Sequence, residues 1–179
     1  MDKTTLARRL MEAAYTEGDF TLRSGRKSNY IIDKYAFETR PELLREVARE
    51  LAAMLPPRVQ RLAGVELGGV PLATAVSMET GVPFVIVRKG QKGHGLDRPI
   101  EGELRIGEHV ALLEDVVTTG GAALAGVETL RQSGAGSVSV IAVVDRQEGG
   151  EEAFRDAGVP FHTLFTRESL GIKAAASKQ

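Results

Sequence analysis

At 179 residues the chain is long enough for one domain with a sizeable core, and a single unit spanning 1–179 is expected. A formal net charge of -1, with 26% charged residues of both signs interspersed, gives no global reason to expect nucleic acid or an anionic membrane as partner, so any basic site is local. The absence of cysteine excludes disulfides, thiolate nucleophiles and cysteine-ligated zinc, and His94, His109 and His162 lie too far apart for a short metal-binding motif.

The start, MDKTTLARRL, lacks the apolar core of a secretory leader, and no apolar run approaches the roughly 20 residues that span a bilayer, so a cytoplasmic location is expected. Leu6, Leu10 and Ala13/Ala14 recur at helical spacing and predict a short amphipathic helix over residues 4–15. FTLRSGRKSNYIIDKY then offers two strand-like pieces around a Ser24-Gly25 turn. Thr39, with Pro41 and Glu42 just inside, reads as the start of a helix whose apolar face is Leu43, Leu44, Val47, Leu51 and Leu55, stopped by Pro56-Pro57.

From there the pattern repeats: apolar run, glycine, helical segment, apolar run. Strands are predicted at 61–65, 83–88, 109–114, 137–144 and 161–165, with helices over 70–80, 120–132 and 151–157. Continuous apolar strands alternating with helices argue for an α/β fold with a mainly parallel central sheet flanked by helices. Residues 88–107 break the pattern with four glycines before Arg105 and little apolar periodicity, which predicts a long loop or protruding hairpin; loops of that length in compact domains are usually functional or disordered.

The densest chemistry lies in ALLEDVVTTGGAAL, residues 111–124. Ligands of open parallel sheets bind outside the carboxyl ends of the strands, where Glu114 and Asp115 are expected. The small turn Thr118 to Ala122 leads into a helix whose free N–H groups and positive dipole end suit an anion. Carboxylates accepting hydrogen bonds from sugar hydroxyls beside an N–H cradle for phosphate describe a ribose 5-phosphate site. Ordinary strand-end acids and turn residues remain the alternative at this level. The pattern is neither a Walker loop nor a GxGxxG fingerprint.

An apolar strand, two acids, two more apolar residues and Thr-Thr-Gly-Gly resembles the phosphoribosyl diphosphate-binding motif of the type I phosphoribosyltransferases. FTLRSGRKSNY (20–30), GVELGGVPLA (64–73), RKGQKGHG (88–95) and VVDRQEGG (143–150) resemble, in this order, stretches of the orotate phosphoribosyltransferase family, so the likeness covers most of the chain. It implies a type I phosphoribosyltransferase fold with an N-terminal hood segment over 1–38 and a flexible catalytic loop over 88–107. Orotate and phosphoribosyl diphosphate are the implied substrates, with Mg2+ on diphosphate and ribose oxygens rather than in a protein metal cluster. A homodimer with active sites shared across its interface is likewise implied.

By the same resemblance, Asp115, Lys92 and His94 are the catalytic residues, the last two reaching the neighbouring subunit's site. Glu114 and Asp115 hold the ribose hydroxyls, Thr118, Thr119, Gly120, Gly121 and Ala122 the 5'-phosphate, and Arg88, Lys89, Lys92 and His94 the diphosphate. Arg146, aided by Thr118, recognises the anionic edge of the base, a task suited to a planar guanidinium. Arg23 stands where many relatives have lysine, Leu67 and Gly68 where they carry an aromatic and a lysine, and Glu114 where aspartate is common. Tyr30, Ile31 and Ile32 either pack beneath the base or form a plain buried strand, and Gly68-Gly69 either approach the diphosphate or only turn the chain. A phosphoribosyltransferase for another base, such as a purine, and a non-catalytic regulatory protein of the same fold are the rival readings.

Overall fold

The computed structural model describes residues 1–21, 25, 27–89 and 98–173. Helix α1 (Lys3–Ala14) begins at Asp2, whose side chain accepts a hydrogen bond from the Thr5 N–H at 3.0 Å, and buries Leu6, Leu10 and Ala14. Strands β1 (Tyr15–Thr21) and β2 (Lys27–Ile32) pair antiparallel as a separate two-stranded sheet. The Ser24-Gly25 turn lies largely outside the described residues.

A short helix that the sequence pattern did not predict, α2 (Lys34–Glu38), follows; Asp33 caps it by accepting from the Tyr35 N–H. Thr39 was expected to start the next helix, but it ends α2 instead, its hydroxyl donating to the Tyr35 carbonyl at 2.6 Å. Helix α3 (Pro41–Ala53) therefore starts at Arg40 with no side-chain cap, and Pro41 supplies the pre-set φ at its first turn.

The main sheet contains β3 (Arg61–Val65), β4 (Phe84–Val87), β5 (Ile100–Glu101), β6 (His109–Val117), β7 (Ser137–Asp145) and β8 (Phe161–Thr166), in the spatial order β5-β4-β3-β6-β7-β8. All neighbours run parallel except β5, an antiparallel edge strand on β4. Within 88–107, read as a long loop or protruding hairpin, β5 pairs antiparallel with β4, Ile100 is buried in the core on one face of the sheet, and the Arg88 N–H donates to the Pro99 carbonyl. Residues 90–97 lie outside the described residues.

Helices α4 (Gly69–Thr80), α5 (Gly121–Gln132) and α6 (Gly150–Asp156) connect the parallel strands. One face of the sheet packs Ala111, Leu113, Ile141 and Val143 against Leu6, Leu10, Val47, Leu51 and Leu72 of α1, α3 and α4. The other packs Leu112, Val138 and Val140 against Val127 and Leu130 of α5 and Phe154. Each large aliphatic side chain so buried contributes about 1.5–3 kcal/mol, and burial on both faces is why these strands read as unbroken apolar runs.

The topology creates the crevice. From β3 the chain crosses through α4 to β4 on one side, whereas from adjacent β6 it crosses through α5 to β7 on the other. The two connections diverge, leaving a cleft at the carboxyl ends of β3 and β6.

Candidate active site

Glu114 and Asp115 belong to β6 itself, which continues past the predicted end to Val117 because β7 pairs with it as far as Val117↔Asp145. Strand alternation puts Asp115 on the side of Ala111 and Leu113, and its side chain is buried. Asp115 Oδ1 accepts from the Val116 N–H, and Oδ2 lies 2.7 Å from Lys34 Nζ of α2. Glu114 Oε2 is enclosed with no hydrogen-bond partner among the described residues, and burial first, the Asp115 charge second, push its carboxyl well above the ordinary range; Lys34 and Lys89 oppose this.

A third carboxylate joins them. Glu38, at the end of α2, is 3% exposed, and neither of its oxygens has a hydrogen-bond partner among the described residues. Burial, reinforced by Asp115, pushes it up to about 8. Lys34 is the counter-charge: desolvation works against its ammonium, but its hydrogen bond and attraction to Asp115 prevail and raise its pKa. Neither Lys34 nor Glu38 was anticipated as part of the site. The available signal was a lysine and a glutamate spaced i, i+4 on the short helix KYAFE, directly after an apolar strand.

The β3–α4 connection closes over this group. A Cβ at Gly68 would stand 1.8 Å from Asp115 Oδ2 and 2.6 Å from Lys34 Nζ, and one at Gly69 would stand 2.8 Å from the Leu113 carbonyl oxygen. These glycines do more than turn the chain: they let its backbone lie directly on the buried ion pair.

Downstream of β6, Thr118 is half-buried, Thr119 exposed, and Gly120 takes the left-handed conformation with φ 79° immediately before α5. Among the described residues no side chain caps α5, so its first-turn N–H groups suit an external acceptor. Gly121 and Ala122, exposed, form that first turn.

Arg146 follows β7, and its N–H donates to the Val117 carbonyl, which ties the two strand ends together. Arg146 is buried, with Ser28 Oγ at 3.1 Å from Nη2, Glu148 Oε1 at 2.8 Å from Nε, and the Tyr30 ring 4.3 Å beneath Cζ. Tyr30 is buried, and its hydroxyl has no hydrogen-bond partner among the described residues. Ile31 and Ile32 are half-buried.

Arg88 sits at the mouth of the cleft, its Nε 3.1 Å from Glu66 and its Nη1 3.2 Å from Glu101, while the Lys89 N–H also donates to Glu66. Lys92, His94 and Arg23 lie outside the described residues.

An open, mainly parallel sheet with an acid-bearing strand running through a glycine turn into an uncapped helix is the architecture of the type I phosphoribosyltransferases, and the family model for the phosphoribosyl transferase domain matches residues 42–158. Among individual proteins, the chain is 47% identical over 157 residues to the orotate phosphoribosyltransferase of Methanocella arvoryzae, covering 87% of this chain and 90% of that one. Within the class, the chain belongs to the orotate phosphoribosyltransferase family.

Two solved structures extend the comparison. The Leishmania donovani UMP synthase superposes with a TM-score of 0.86 at 32% identity over 95% of this chain, which spans 37% of the length of that larger protein. The Mycobacterium tuberculosis orotate phosphoribosyltransferase in complex with 5-phospho-α-D-ribosyl 1-diphosphate superposes with a TM-score of 0.75 at 29% identity, over 96% of this chain and 99% of that one. No helix among the described residues is long and apolar enough to cross a membrane.

Proposed function

We propose that the chain transfers the 5-phosphoribosyl group from phosphoribosyl diphosphate to orotate, giving orotidine 5'-monophosphate and diphosphate in pyrimidine nucleotide synthesis. The observation that carries this reading is the carboxylate pair on β6, Asp115 buried and Glu114 half-buried, set ahead of the N-terminus of α5, with the Arg146 guanidinium at the end of the neighbouring strand. Family membership and the relatives' names support the same assignment.

In this mechanism Glu114 and Asp115 accept hydrogen bonds from the ribose hydroxyls, and Thr118 to Ala122 hold the 5'-phosphate on the α5 N–H groups. Arg146 takes the carboxylate and carbonyl edge of orotate on its planar fork, above Tyr30. The C1'–O bond to diphosphate breaks ahead of C1'–N1 bond formation, so the sugar passes through a cation-like state and positive charge beside the departing diphosphate lowers the barrier. Arg88, Lys89, Lys92 and His94 supply that charge, with Arg88 leaving Glu66 and Glu101 to do so. A hood over 1–38 and a loop over 88–107, closing across a homodimer interface, exclude water from the reacting centre.

Phosphoribosyltransferases generally use magnesium. Carboxylate oxygens are the hard donors it prefers; among the described residues Glu114 Oε2 is enclosed without a partner, yet no three His, Asp or Glu side chains form a cage. Glu114 and Asp115 are the side chains that would face magnesium brought in with the donor, and its charge would offset the negative charge of the departing diphosphate.

The test follows orotate absorbance in the presence of phosphoribosyl diphosphate and magnesium, with adenine, hypoxanthine and uracil in parallel. Consumption of orotate that requires all three components and is abolished in Lys92→Ala is the expected result. Turnover of a purine with orotate untouched would overturn the acceptor assignment through Arg146.

A further inference from the structure

Three carboxylates and one ammonium meet at the floor of the cleft. Asp115 is buried on β6, Glu114 precedes it, and Glu38 reaches the same region from α2 with both oxygens enclosed. Lys34 Nζ is 2.7 Å from Asp115 Oδ2, and the Lys34 side chain is 31% exposed while that of Asp115 is 3% exposed. The ammonium thus stands between the buried acids and the open cleft. Lys34 also acts on Glu38 and Glu114, drawing both carboxyls toward their ionised forms.

The surroundings are shaped for this contact. The Asp33 cap starts α2 at Lys34 and sets the helix's direction, and Gly68 has no side chain where any Cβ would strike both partners. A short helix, a strand and a loop, from three separate parts of the sequence, converge on one ion pair.

We propose that Lys34 is a positioning residue for the donor-sugar site: it holds the Asp115 carboxylate in place and supplies the cationic charge that offsets the neighbouring acids. This rests on the reading of Glu114 and Asp115 as the ribose-hydroxyl acceptors. Without Lys34, the Asp115 carboxylate loses the contact that fixes its Oδ2, and adjacent carboxylates in a poorly solvated pocket relieve their repulsion by moving apart. A displaced Asp115 no longer offers the paired acceptor that a ribose diol requires, and a donor carrying several negative charges meets a more anionic floor. Orotate approaches through Arg146 at the end of β7 and is spared.

The experiment compares Lys34→Met and Lys34→Arg with the wild type. Calorimetry gives the affinity for phosphoribosyl diphosphate with magnesium, steady-state assays give KM for each substrate and kcat, and thermal melting monitors folding. Lys34→Met should weaken donor binding by about tenfold or more and raise the donor KM in parallel, with the orotate KM within about twofold of wild type. Lys34→Arg, which keeps the charge and reaches the same carboxylate, should recover most of the loss.

Unchanged donor affinity in Lys34→Met overturns the proposal. So does an equal loss for both substrates in a variant with a lowered melting temperature, if Lys34→Arg fails to recover it. The calorimetric arm needs no acceptor. A wild type that binds the donor but ignores orotate refutes only the acceptor assignment, whereas a wild type that does not bind the donor refutes the sugar-site reading and this inference together.

Discussion

Arg146 donates from Nη2 to Ser28 Oγ at 3.1 Å, joining residues 118 positions apart in the chain and fixing the end of β7 against the β1–β2 sheet. The Ser28 hydroxyl in turn donates to the Tyr30 carbonyl at 2.6 Å, so the strand that presents the tyrosine ring also orients the guanidinium above it. A base held by Arg146, as proposed, would be located relative to the β6 acids by hydrogen bonds that cross between two separate sheets.

Arg146→Lys keeps the charge but loses the fork and the stacking on Tyr30. A charge-assisted hydrogen bond contributes about 1.5–3 kcal/mol, so the orotate KM should rise roughly 10- to 100-fold while calorimetric affinity for phosphoribosyl diphosphate stays unchanged. Ser28→Ala should have the same direction and a smaller size, a fewfold rise in the orotate KM. Loss of donor affinity in Arg146→Lys would show that the arginine serves the phosphoribosyl group instead.

Gly120→Ala tests the turn before α5. At φ 79° a side chain costs about 1–2 kcal/mol, and its Cβ would meet the Phe154 ring at 3.3 Å. We expect a melting temperature lower by several degrees, together with weaker inhibition by ribose 5-phosphate as the α5 N–H groups shift. Unaltered inhibition with only the melting change would leave the turn a structural role alone.

Glu38 sets a pH dependence of stability. Its carboxyl is held at about 8 in the folded chain against an ordinary 4.5, by burial and by Asp115, with Glu114 and Asp33 adding to the rise and Lys34 opposing it. Between those values the folded state binds more protons than the unfolded one, so this group's contribution falls as pH rises from about 4.5 to about 8. Glu38→Gln removes the titration. Its melting temperature should exceed that of the wild type by several degrees at pH 8.5 and converge with it near pH 4.5; a constant offset at both pH values would refute this account.

Away from the cleft, Arg61 and Glu108 form a two-pronged pair at 2.9 and 2.7 Å, and Glu108 also accepts from the Arg105 N–H at 3.0 Å. Both residues are buried, so Glu108→Ala leaves a guanidinium without its partner and should cost about 2 kcal/mol or more in denaturant unfolding. Kinetic constants for both substrates should be unaffected, since the pair lies at the amino ends of β3 and β6, opposite the site.

Much of this architecture was legible before any coordinates. Strands such as RLAGV and SVSVIAVVD are apolar on both faces, and helices covering both sides of a parallel sheet are what make such a sequence stable, so the α/β alternation and most element boundaries could be read from periodicity. The acids, the Thr-Thr-Gly-Gly turn and the lone strand-end arginine are contiguous motifs, and contiguity is what sequence reading detects. Three-dimensional contact alone decided the rest. Thr39 had the composition of a helix start, yet its hydroxyl ends α2 because the Tyr35 carbonyl is within reach. β6 runs three residues past Glu114 because β7 pairs with it that far. Lys34, Glu38 and Ser28 join the site from an amino-terminal segment far from the motif in sequence; the forces that place them are ion pairing, desolvation and hydrogen bonding at 2.7 to 3.1 Å, which depend on distance in space and leave little trace in residue order.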